Sequence, residues 1–540
     1  MADFNLSSKT KDAELLTRDG GTIPINDTQR RKIAIFSNGV AAITIGERWS
    51  AETKLTVSEA KRRGINVTEF IEVDTPTLLD LYKDGSVEEK AKASDLQERQ
   101  VDLSEILRLA AADRASDVHL RVLKTHTELR VRVFGRVKDL GSRTSDEGMA
   151  LIKAAFAVAS DQGTTSSDLS FQQGALTAKS GLLPPKVEMV RLQYSPTSDG
   201  RGALVCRLKY VAPANEIEID HLGYNAQQIV DISTMRKRTN GMYVLAGKVS
   251  SGKSTTLQRV LNKMFVDKMR EISMYTIEEP VELDLPGAIQ VPVKKNPDGT
   301  DGFVEAMKAS LRSDPNVIVL GETRSTETAK LAVQAVMTGH ALWTTVHAGT
   351  ALGILDRLTD LGVESWKLED PTVVRGLTYQ RLTGVICKCC RITLAKGVEL
   401  GHVEETLAKK LVSLFEKPAE SLYVRGEGCP KCKLGLAGRT VVAETVLTDP
   451  ILLEHYAKGE RIKMRDYWLK PVAEGGLGGV PVLHHALSKV GAGLCDINEV
   501  EEEVDLFETY ERDFMFLKPR LLTDVAILEE SEKRTESEKK

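Results

Sequence analysis

Short apolar runs alternate with helix-like apolar spacing in the second half of the chain. Residues 242–246 (MYVLA) are all apolar, which predicts a short buried strand. Residues 255–261 (TTLQRVL) carry apolar side chains at helical spacing. The runs at 272–277 (ISMYTI) and 317–320 (VIVL) predict two further strands. The fold class predicted for this region is therefore α/β.

The first half of the chain has shorter strand-like runs between polar turns. Such runs occur at 32–36 (KIAIF), 40–45 (VAAITI), 118–122 (VHLRV) and 128–133 (ELRVRV). The charged stretch 87–92 (VEEKAK) is typical of a solvated linker or helix. Beyond about residue 525 the chain is polar to its end, which predicts disorder.

These changes of composition divide the chain into segments. No chemistry can be inferred for the first segment, and residues 213–216 (PANE) are predicted to link the second domain to the third. The predicted segments are a first N-terminal domain (1–85), a linker (86–99), a second N-terminal domain (100–212), an α/β core (213–385), a cysteine-bearing segment (386–440), a C-terminal helical part (441–524) and a disordered tail (525–540).

Composition supports a large multi-domain protein. The chain has 540 residues, too many for one core, with 41% hydrophobic residues, 28% charged residues and a net charge of −4. This near-neutral balance does not predict a nucleic-acid surface. The N-terminus lacks a signal-peptide pattern and no apolar run approaches the roughly 20 residues of a membrane span, so we expect a cytoplasmic protein.

Residues 247–254 (GKVSSGKS) fit the phosphate-loop pattern G-x-x-x-x-G-K-[ST] and lie between the predicted strand and helix. Glycines in such a loop let backbone N–H groups converge on phosphates, beside the positive end of a helix dipole. A glycine-rich turn that matches by chance is the alternative, and the flanking elements argue against it. The predicted nucleotide-binding residues are Gly247, Ser250, Ser251, Gly252, Lys253, which meets the β- and γ-phosphates, Ser254, which also ligates Mg²⁺, and Thr255.

Carboxylates follow two of the predicted strands. Glu278 and Glu279 end the strand at 272–277, and Glu322 comes shortly after the run 317–320. Carboxylates at strand ends beside a phosphate loop could polarise the attacking water or contact the Mg²⁺ shell. A solvated acidic face is the alternative for any one of them.

Five of the seven cysteines cluster in the sequence. Cys387 with Cys390 and Cys429 with Cys432 form two C-x₂-C pairs, which together suit a closed tetrahedral Zn²⁺ site. Cys389 is an extra thiol that could replace a neighbour or stand free. Residues 404–414 between the pairs have helical character. Buried reduced thiols without a metal are the alternative.

Several stretches together resemble the secretion ATPases that drive type IV pilus assembly and type II secretion. Besides the phosphate loop, they are 276–282 (TIEEPVE), 311–316 (LRSDPN), 321–324 (GETR), 338–340 (TGH) and 344–348 (TTVHA). The resemblance spans about 101 to 510 and implies a RecA-like core. It also implies that Glu322 is the glutamate of an atypical Walker B strand and that His340 and His347 form a histidine box near the γ-phosphate.

This sequence departs from the family pattern at several positions. The family's usual Glu-Asp-Pro is Glu278-Glu279-Pro280 here, and Ser325 follows Arg324 where Asp is common. The departures leave open which carboxylate is the general base, with Glu278 the first candidate and Glu279 the second. The resemblance also makes His347 a catalytic candidate.

The second N-terminal domain also resembles its counterpart in the family, which is PAS-like and supplies arginines to a bound nucleotide. Alternation along 128–133 alone favours a plain polar strand face for its two arginines. The residues that the resemblance makes candidates for sensing or stabilising phosphate charge are Arg130, Arg132, Arg312 and Arg324.

The resemblance implies a homo-hexameric motor that hydrolyses ATP with Mg²⁺, carries Zn²⁺ and powers assembly of a type IV pilus or a type II secretion pseudopilus. Its implied partner is an inner-membrane platform protein, reached by peripheral association at the cytoplasmic face of the membrane. One alternative is a RecA-like nucleic-acid translocase, which the charge balance and the 5% aromatic content weaken. A pilus retraction motor is the other, but such motors generally lack the tetracysteine segment and the first N-terminal domain.

Overall fold

The computed structural model describes residues 6, 9–10, 13–18, 21–83, 87–159, 170–198, 201–211, 218–279, 281, 284–293, 302–432 and 434–538. These residues form two compact units. The first comprises residues 1–131 and 137–210, and the second comprises 132–136 and 211–540.

The first unit begins with a small three-stranded sheet. Its strands are β1 (Ile33–Ile35), β2 (Val40–Thr44) and β3 (Glu69–Val73), with helices α1 (Asp27–Arg30), α2 (Ala51–Arg62) and α3 (Thr75–Lys83). β1 pairs antiparallel with β2, and β2 pairs parallel with β3. The strands predicted at 32–36 and 40–45 are confirmed.

The rest of the first unit carries a six-stranded sheet in the order β6-β5-β4-β9-β8-β7, accompanied by two helices. Residues 132–136, which include the end of β5 and the first residue of β6, are grouped with the second unit. Its elements are α4 (Val87–Ala112), β4 (Asp117–Val122), β5 (Thr127–Val133), β6 (Arg136–Arg143), α5 (Ser145–Ala157), β7 (Gln172–Leu176), β8 (Val187–Pro196) and β9 (Gly202–Tyr210). Of the two alternatives for the charged stretch 87–92, the helix is confirmed, because α4 runs through the predicted linker.

The second unit is built on a seven-stranded sheet in the order β12-β11-β13-β14-β10-β15-β18. The strands are β10 (Gly241–Ala246), β11 (Met274–Glu278), β12 (Ala288–Pro292), β13 (Val317–Leu320), β14 (Ala341–Val346), β15 (Val374–Ile386) and β18 (Leu436–Leu447). All neighbouring strands are parallel except β18, which pairs antiparallel with β15. The α/β class and the strands predicted for this region are confirmed.

Helices cover both faces of the sheet. Along β10, Met242 and Val244 belong to one apolar core, and Tyr243 and Leu245 belong to a second core. Successive side chains of a strand point to opposite faces, so the uninterrupted apolar run reflects burial on both sides. The helices outside the cysteine segment are α6 (Ala226–Lys237), α7 (Lys253–Asp267), α8 (Gly302–Leu311), α9 (Thr326–Met337), α10 (Gly353–Asp360), α11 (Ser365–Leu368), α14 (Pro450–Ala457), α15 (Arg461–Leu469), α16 (Val482–Gly491), α17 (Ile497–Glu503), α18 (Phe507–Asp513) and α19 (Lys518–Glu538).

The cysteine-bearing segment is an insertion between β15 and β18. It contains β16 (Ile392–Thr393), α12 (Leu394–Glu399), α13 (Glu405–Phe415) and β17 (Tyr423–Val424), with β16 and β17 paired antiparallel. The helix predicted at 404–414 is confirmed as α13. The apolar side of this insertion packs into a core that it shares with the C-terminal helices.

The prediction of a disordered tail from residue 525 is wrong as far as Glu538, because α19 continues to that residue. Val525 is buried in the core shared with the insertion. Asp524 accepts a hydrogen bond from the buried His484, and Glu529 pairs with Lys417 at 2.7 Å. These partners are distant in the sequence, so the polar composition of the segment gave no sign of them.

Parts of two sequence predictions lie outside the described residues. They are the linker at 213–216, and Pro280 and Glu282 of the acidic stretch after β11. Among the helices that the structure describes, none is both long enough and apolar enough to cross a membrane.

Candidate functional site

The predicted phosphate loop joins the carboxyl end of β10 to the first turn of α7. Ser250 and Gly252 have φ angles of 63° and 85°, so the chain turns sharply twice before the helix begins at Lys253. A positive φ is strained for serine and accessible to glycine. The N-terminus of α7 therefore follows directly on the loop, and a helix N-terminus favours a bound anion.

Lys253 lies across this loop. Its Nζ donates to the backbone oxygens of Gly247 at 2.8 Å and Lys248 at 3.1 Å. Ser254 and Thr255 follow it in the first turn of α7. The loop thus brings an ammonium group and two hydroxyl-bearing residues to one helix N-terminus, which is the arrangement that the sequence predicted.

Strand β15 packs against the phosphate loop and leaves no space for a side chain at position 247. A Cβ atom on Gly247 would lie 2.4 Å from the backbone oxygen of Gln380. The amide of Gln380 also donates to the backbone oxygen of Ser251 at 2.8 Å. No local pattern distinguishes Gln380 from other strand glutamines, so its place beside the loop was not predictable from the sequence.

The carboxyl ends of the parallel strands form one edge of the sheet. β14 lies next to β10 on that edge, followed by β13 and then β11. His347 follows β14, Glu322 follows β13 and Glu278 ends β11. At about 4.8 Å per strand, the end of β11 is roughly 14 Å from the end of β10, so Glu278 is the most distant of these three side chains.

Glu322 is the centre of a polar cluster on this edge. Its Oε1 lies 3.0 Å from His347 Nε2, and its Oε2 lies 2.7 Å from Arg324 Nη2. The hydrogen bond to this carboxylate raises the pKa of Arg324. Thr345 donates to the backbone oxygen of Gly321 at 2.7 Å, which joins β14 to the turn that carries Glu322.

Glu278 is held in place by two donors. Its Oε1 accepts from Thr276 Oγ1 at 2.7 Å and from Gln290 Nε2 at 3.1 Å. A Cβ atom on Gly321 would lie 3.3 Å from Glu278 Cγ, so this glycine lets the ends of β11 and β13 approach. Glu279 is exposed, and its charge adds to the raised pKa of Arg324.

Two candidates from the motifs lie at the opposite edge of the sheet. His340 comes immediately before β14, where its Nδ1 donates to the backbone oxygen of Ala335 at 3.0 Å and so caps the end of α9. Arg312 follows α8 and precedes β13. The residue before a parallel strand and the residue after it lie at opposite edges of the sheet, so the structure does not bring His340 and Arg312 to the phosphate loop of the same chain.

Arg130 and Arg132 lie on the outward-facing positions of β5, alternating with the buried Leu129, Val131 and Val133. Arg130 pairs with Glu128 at 3.4 Å. Arg132 donates to the backbone oxygen of Gly135 at 2.7 Å. The alternation is that of an ordinary half-buried strand.

Cys387, Cys390, Cys429 and Cys432 come together at the base of the insertion, with their Sγ atoms all within 4.8 Å of one another. Among these pairs, Cys390 and Cys432 are 3.3 Å apart and Cys387 and Cys429 are 3.9 Å apart. Four thiolates bound at about 2.3 Å to a tetrahedral Zn²⁺ would be separated by about 3.8 Å, so the cluster has the dimensions of such a site. Cys389 is exposed and lies outside it.

The model of the type II/IV secretion system protein family matches residues 92–500, which is most of the chain. The chain belongs to this family. The match covers the phosphate loop, the carboxylate edge and all four clustered cysteines. As a type II/IV secretion system protein, the chain is an ATPase, as the sequence predicted.

Several relatives of this secretion family member carry informative names. The type II secretion system ATPase E of Vibrio cholerae serotype O1 is 30% identical over 383 residues, which are 69% of this chain and 72% of the relative. The type IV pilus assembly ATPase PilB of Thermus thermophilus is 28% identical over 354 residues, which are 64% of this chain and 37% of the relative. A crystal structure of the pilus retraction motor PilT with bound ADP covers 76% of this chain and 98% of its own, at 20% identity and a TM-score of 0.48.

Proposed function

We propose that this chain is a hexameric motor that hydrolyses ATP to power assembly of a type IV pilus or a type II secretion pseudopilus. The observation that carries the proposal is the family match, which includes the phosphate loop and the tetracysteine insertion in one stretch. The relatives are named as a type II secretion ATPase and a type IV pilus assembly ATPase. The core is accordingly RecA-like in this proposal, and the six-stranded domain before it is PAS-like.

In the proposed reaction, the backbone of the phosphate loop and the Lys253 ammonium bind the phosphates, and Ser254 ligates Mg²⁺. Glu322, held by His347 and Arg324, contacts the metal shell or its water. Glu278 is the first candidate for the general base, because two donors fix its carboxylate at the same edge. Glu279 is the second candidate. Glu322 is a further candidate, because its strand lies nearer to β10 than β11 does.

The arginines are proposed to respond to the γ-phosphate. Arg324 can do so within the chain through its contact with Glu322. Arg312 lies at the edge opposite the phosphate loop of its own chain, so in a ring it would act on the nucleotide of a neighbouring subunit. Arg130 and Arg132 present their guanidinium groups on an outward strand face, where a bound nucleotide could meet them.

The four clustered cysteines are proposed to hold one structural Zn²⁺. Their separations suit tetrahedral thiolate ligation, and closed tetracysteine sites of this kind stabilise local folds. Glycines support the approach of the two C-x₂-C turns, since a Cβ atom on Gly426 would lie 2.0 Å from the backbone oxygen of Cys390. The ion would thus tie together the two ends of the insertion.

In this proposal the motor works at the cytoplasmic face of the inner membrane, peripherally attached to a platform protein. The test is the ATPase rate of the purified protein alone, with the cytoplasmic domain of a pilus or secretion platform protein, and with single-stranded or duplex DNA. Stimulation by the platform domain, with no response to DNA, supports the proposal. Stimulation by DNA alone would favour a translocase instead.

The Lys253→Ala variant is the control in each arm of this experiment. Its ammonium stabilises the charge that develops during phosphoryl transfer, so the variant should lose hydrolysis in all three conditions. Activity that persists in the variant would come from a contaminating ATPase or from a wrong assignment of the loop. Analytical ultracentrifugation with and without nucleotide tests the hexamer.

A further inference from the structure

A series of buried hydrogen bonds reaches the phosphate loop on the side that faces β15. Gln380, in the middle of β15, is fully buried, and Tyr224 is 5% exposed. Gln380 Nε2 donates to the backbone oxygen of Ser251 at 2.8 Å, and Gln380 Oε1 lies 2.6 Å from the Tyr224 hydroxyl. Tyr224 also lies 3.1 Å from Thr256 Oγ1 in the first turns of α7.

The donors and acceptors of this series run in one direction. The carboxamide oxygen of Gln380 can only accept, so the Tyr224 hydroxyl donates to it. The tyrosine oxygen is then an acceptor, and the Thr256 hydroxyl donates to it. Burial raises the pKa of Tyr224, so its hydroxyl keeps its proton across the physiological range. The Gln380 carboxamide, the Tyr224 hydroxyl and the Thr256 hydroxyl therefore each have a partner in this series of hydrogen bonds.

The last bond of the series controls the direction of one loop amide. The Ser251 oxygen and the Gly252 N–H belong to the same planar trans peptide, in which they point in opposite directions. Since Gln380 holds the oxygen from behind, the Gly252 N–H must point away from β15. That is the direction in which the loop presents its amides to an anion.

We infer that Gln380 is a positioning residue for ATP hydrolysis, which sets the Ser251–Gly252 peptide of the phosphate loop and is itself oriented by Tyr224. Gly252 allows this peptide to turn, because glycine has no Cβ atom and can adopt the positive φ of 85° found here. With the Gln380 donor absent, the peptide can rotate and present its oxygen to the phosphates, which repels the nucleotide. The inference rests on the proposed role of residues 247–254 in nucleotide binding.

The decisive variant is Gln380→Glu, which keeps size and shape but exchanges the donor for a second acceptor facing the Ser251 oxygen. We expect the Kd of a fluorescent ADP analogue with Mg²⁺ to rise by about 10-fold or more, which corresponds to losing a buried hydrogen bond and leaving its acceptor unpaired. We expect the KM for ATP to rise with it. An unchanged Kd would overturn the inference.

A matched control separates positioning from a general loss of stability. Gln228 is equally buried, accepts from the backbone N–H of Asn225 at 3.0 Å and donates to the backbone oxygen of Ala443 at 2.6 Å. Gln228→Glu keeps the first bond and loses the second, so it creates the same chemical defect four residues from Tyr224. The Kd of Gln228→Glu for the analogue should stay within about 2-fold of the parent value, even if thermal unfolding shows that both variants lose the same amount of stability. Equal weakening in both variants would overturn the inference.

Two further variants cover the remaining outcomes. If Gln380→Glu does not fold, Tyr224→Phe decides, because it removes only the hydroxyl that orients the amide. An increase of about 3-fold in the Kd supports the inference and an unchanged Kd overturns it. Lys253→Ala reports on the loop itself. Unchanged nucleotide binding in Lys253→Ala would contradict the proposed role of the loop, whereas loss in Lys253→Ala without loss in Gln380→Glu would overturn only the role of Gln380.

Discussion

His347 Nε2 and Glu322 Oε1 lie 3.0 Å apart at the edge of the sheet that carries the phosphate loop. The same carboxylate pairs with Arg324 at 2.7 Å, so two donors fix its two oxygens in different directions. The histidine follows β14, the strand next to β10, and the glutamate follows β13, one strand further. His347 therefore lies between the phosphate loop and the carboxylate that it holds.

His347→Ala should lower kcat by about 10-fold or more with little change in nucleotide affinity, because it removes the donor that aims Glu322. Steady-state ATPase kinetics together with nucleotide titration measure the two quantities separately. His340→Ala is the matched control, since that side chain caps α9 at the opposite edge. His340→Ala should lower the free energy of unfolding by about 1 kcal/mol and leave kcat near the parent value. A larger loss of kcat in His340→Ala than in His347→Ala would reverse the two assignments.

Glu278→Gln should keep ATP binding and lower turnover by about 10²-fold or more, the range for losing a general base. Glutamine keeps the size of the side chain, so Thr276 and Gln290 still have an oxygen to meet. Single-turnover hydrolysis of prebound ATP gives the rate of the chemical step directly. A silent Glu278→Gln beside a large loss in Glu279→Gln would move the base by one residue.

Glu322→Gln should trap ATP together with Mg²⁺, because the neutral amide cannot polarise the water beside the metal while the phosphate loop still binds the nucleotide. Isolation of the variant by gel filtration after incubation with labelled ATP measures the trapped nucleotide. Free release of ATP would contradict this role. A loss of turnover greater than that of Glu278→Gln would identify Glu322 as the base, as the strand order allows.

The purified protein should contain one Zn²⁺ per chain without added metal, bound by the four clustered thiolates. Elemental analysis of protein kept reduced throughout purification measures the stoichiometry, and the absence of zinc would contradict the proposal. Cys429→Ser should lose the metal and loosen the insertion, which hydrogen exchange over 387–440 would detect. Cys389→Ser is the control and should keep both metal and stability, because this thiol lies outside the cluster.

The stability of the fold should depend on pH through Glu444, a buried carboxyl group of β18. It accepts hydrogen bonds from the backbone N–H groups of Ala351 at 2.8 Å and Val482 at 3.0 Å. Burial raises the pKa of Glu444 from 4.5 to about 7. The folded chain therefore holds a proton that the unfolded chain has already released over this range, and its stability falls as the pH rises from about 4.5 to 7.

Glu444→Gln removes this titration. Between pH 5 and pH 8, the free energy of unfolding of the parent should fall by about 2 to 3 kcal/mol more than that of the variant. Thermal unfolding of both proteins at several pH values measures the change. Glu420→Gln, at an exposed position, is the control and should follow the parent. A parallel pH dependence of parent and Glu444→Gln would contradict the prediction.

The sequence by itself determined the features that depend on residues close together in the chain. The phosphate loop between β10 and α7, the apolar strands and the C-x₂-C pairs all follow from local spacing, because a strand, a turn and a helix N-terminus each form within a few residues. The roles proposed for Lys253 and Ser254 rest on the same local spacing. Lys253 and Ser254 must lie at the N-terminus of α7 whatever the remainder of the fold.

Only the tertiary structure decided which distant side chains meet. His340 and His347 lie at opposite ends of β14, and strand order placed Glu278 further from the phosphate loop than its acidic motif suggested. It also brought Gln380 behind the loop. The polar segment after residue 525 became helical because Val525 is buried and Glu529 pairs with a lysine of the insertion. Such contacts join residues that are far apart in the chain, and no local pattern of apolar and polar positions encodes which of them will be neighbours.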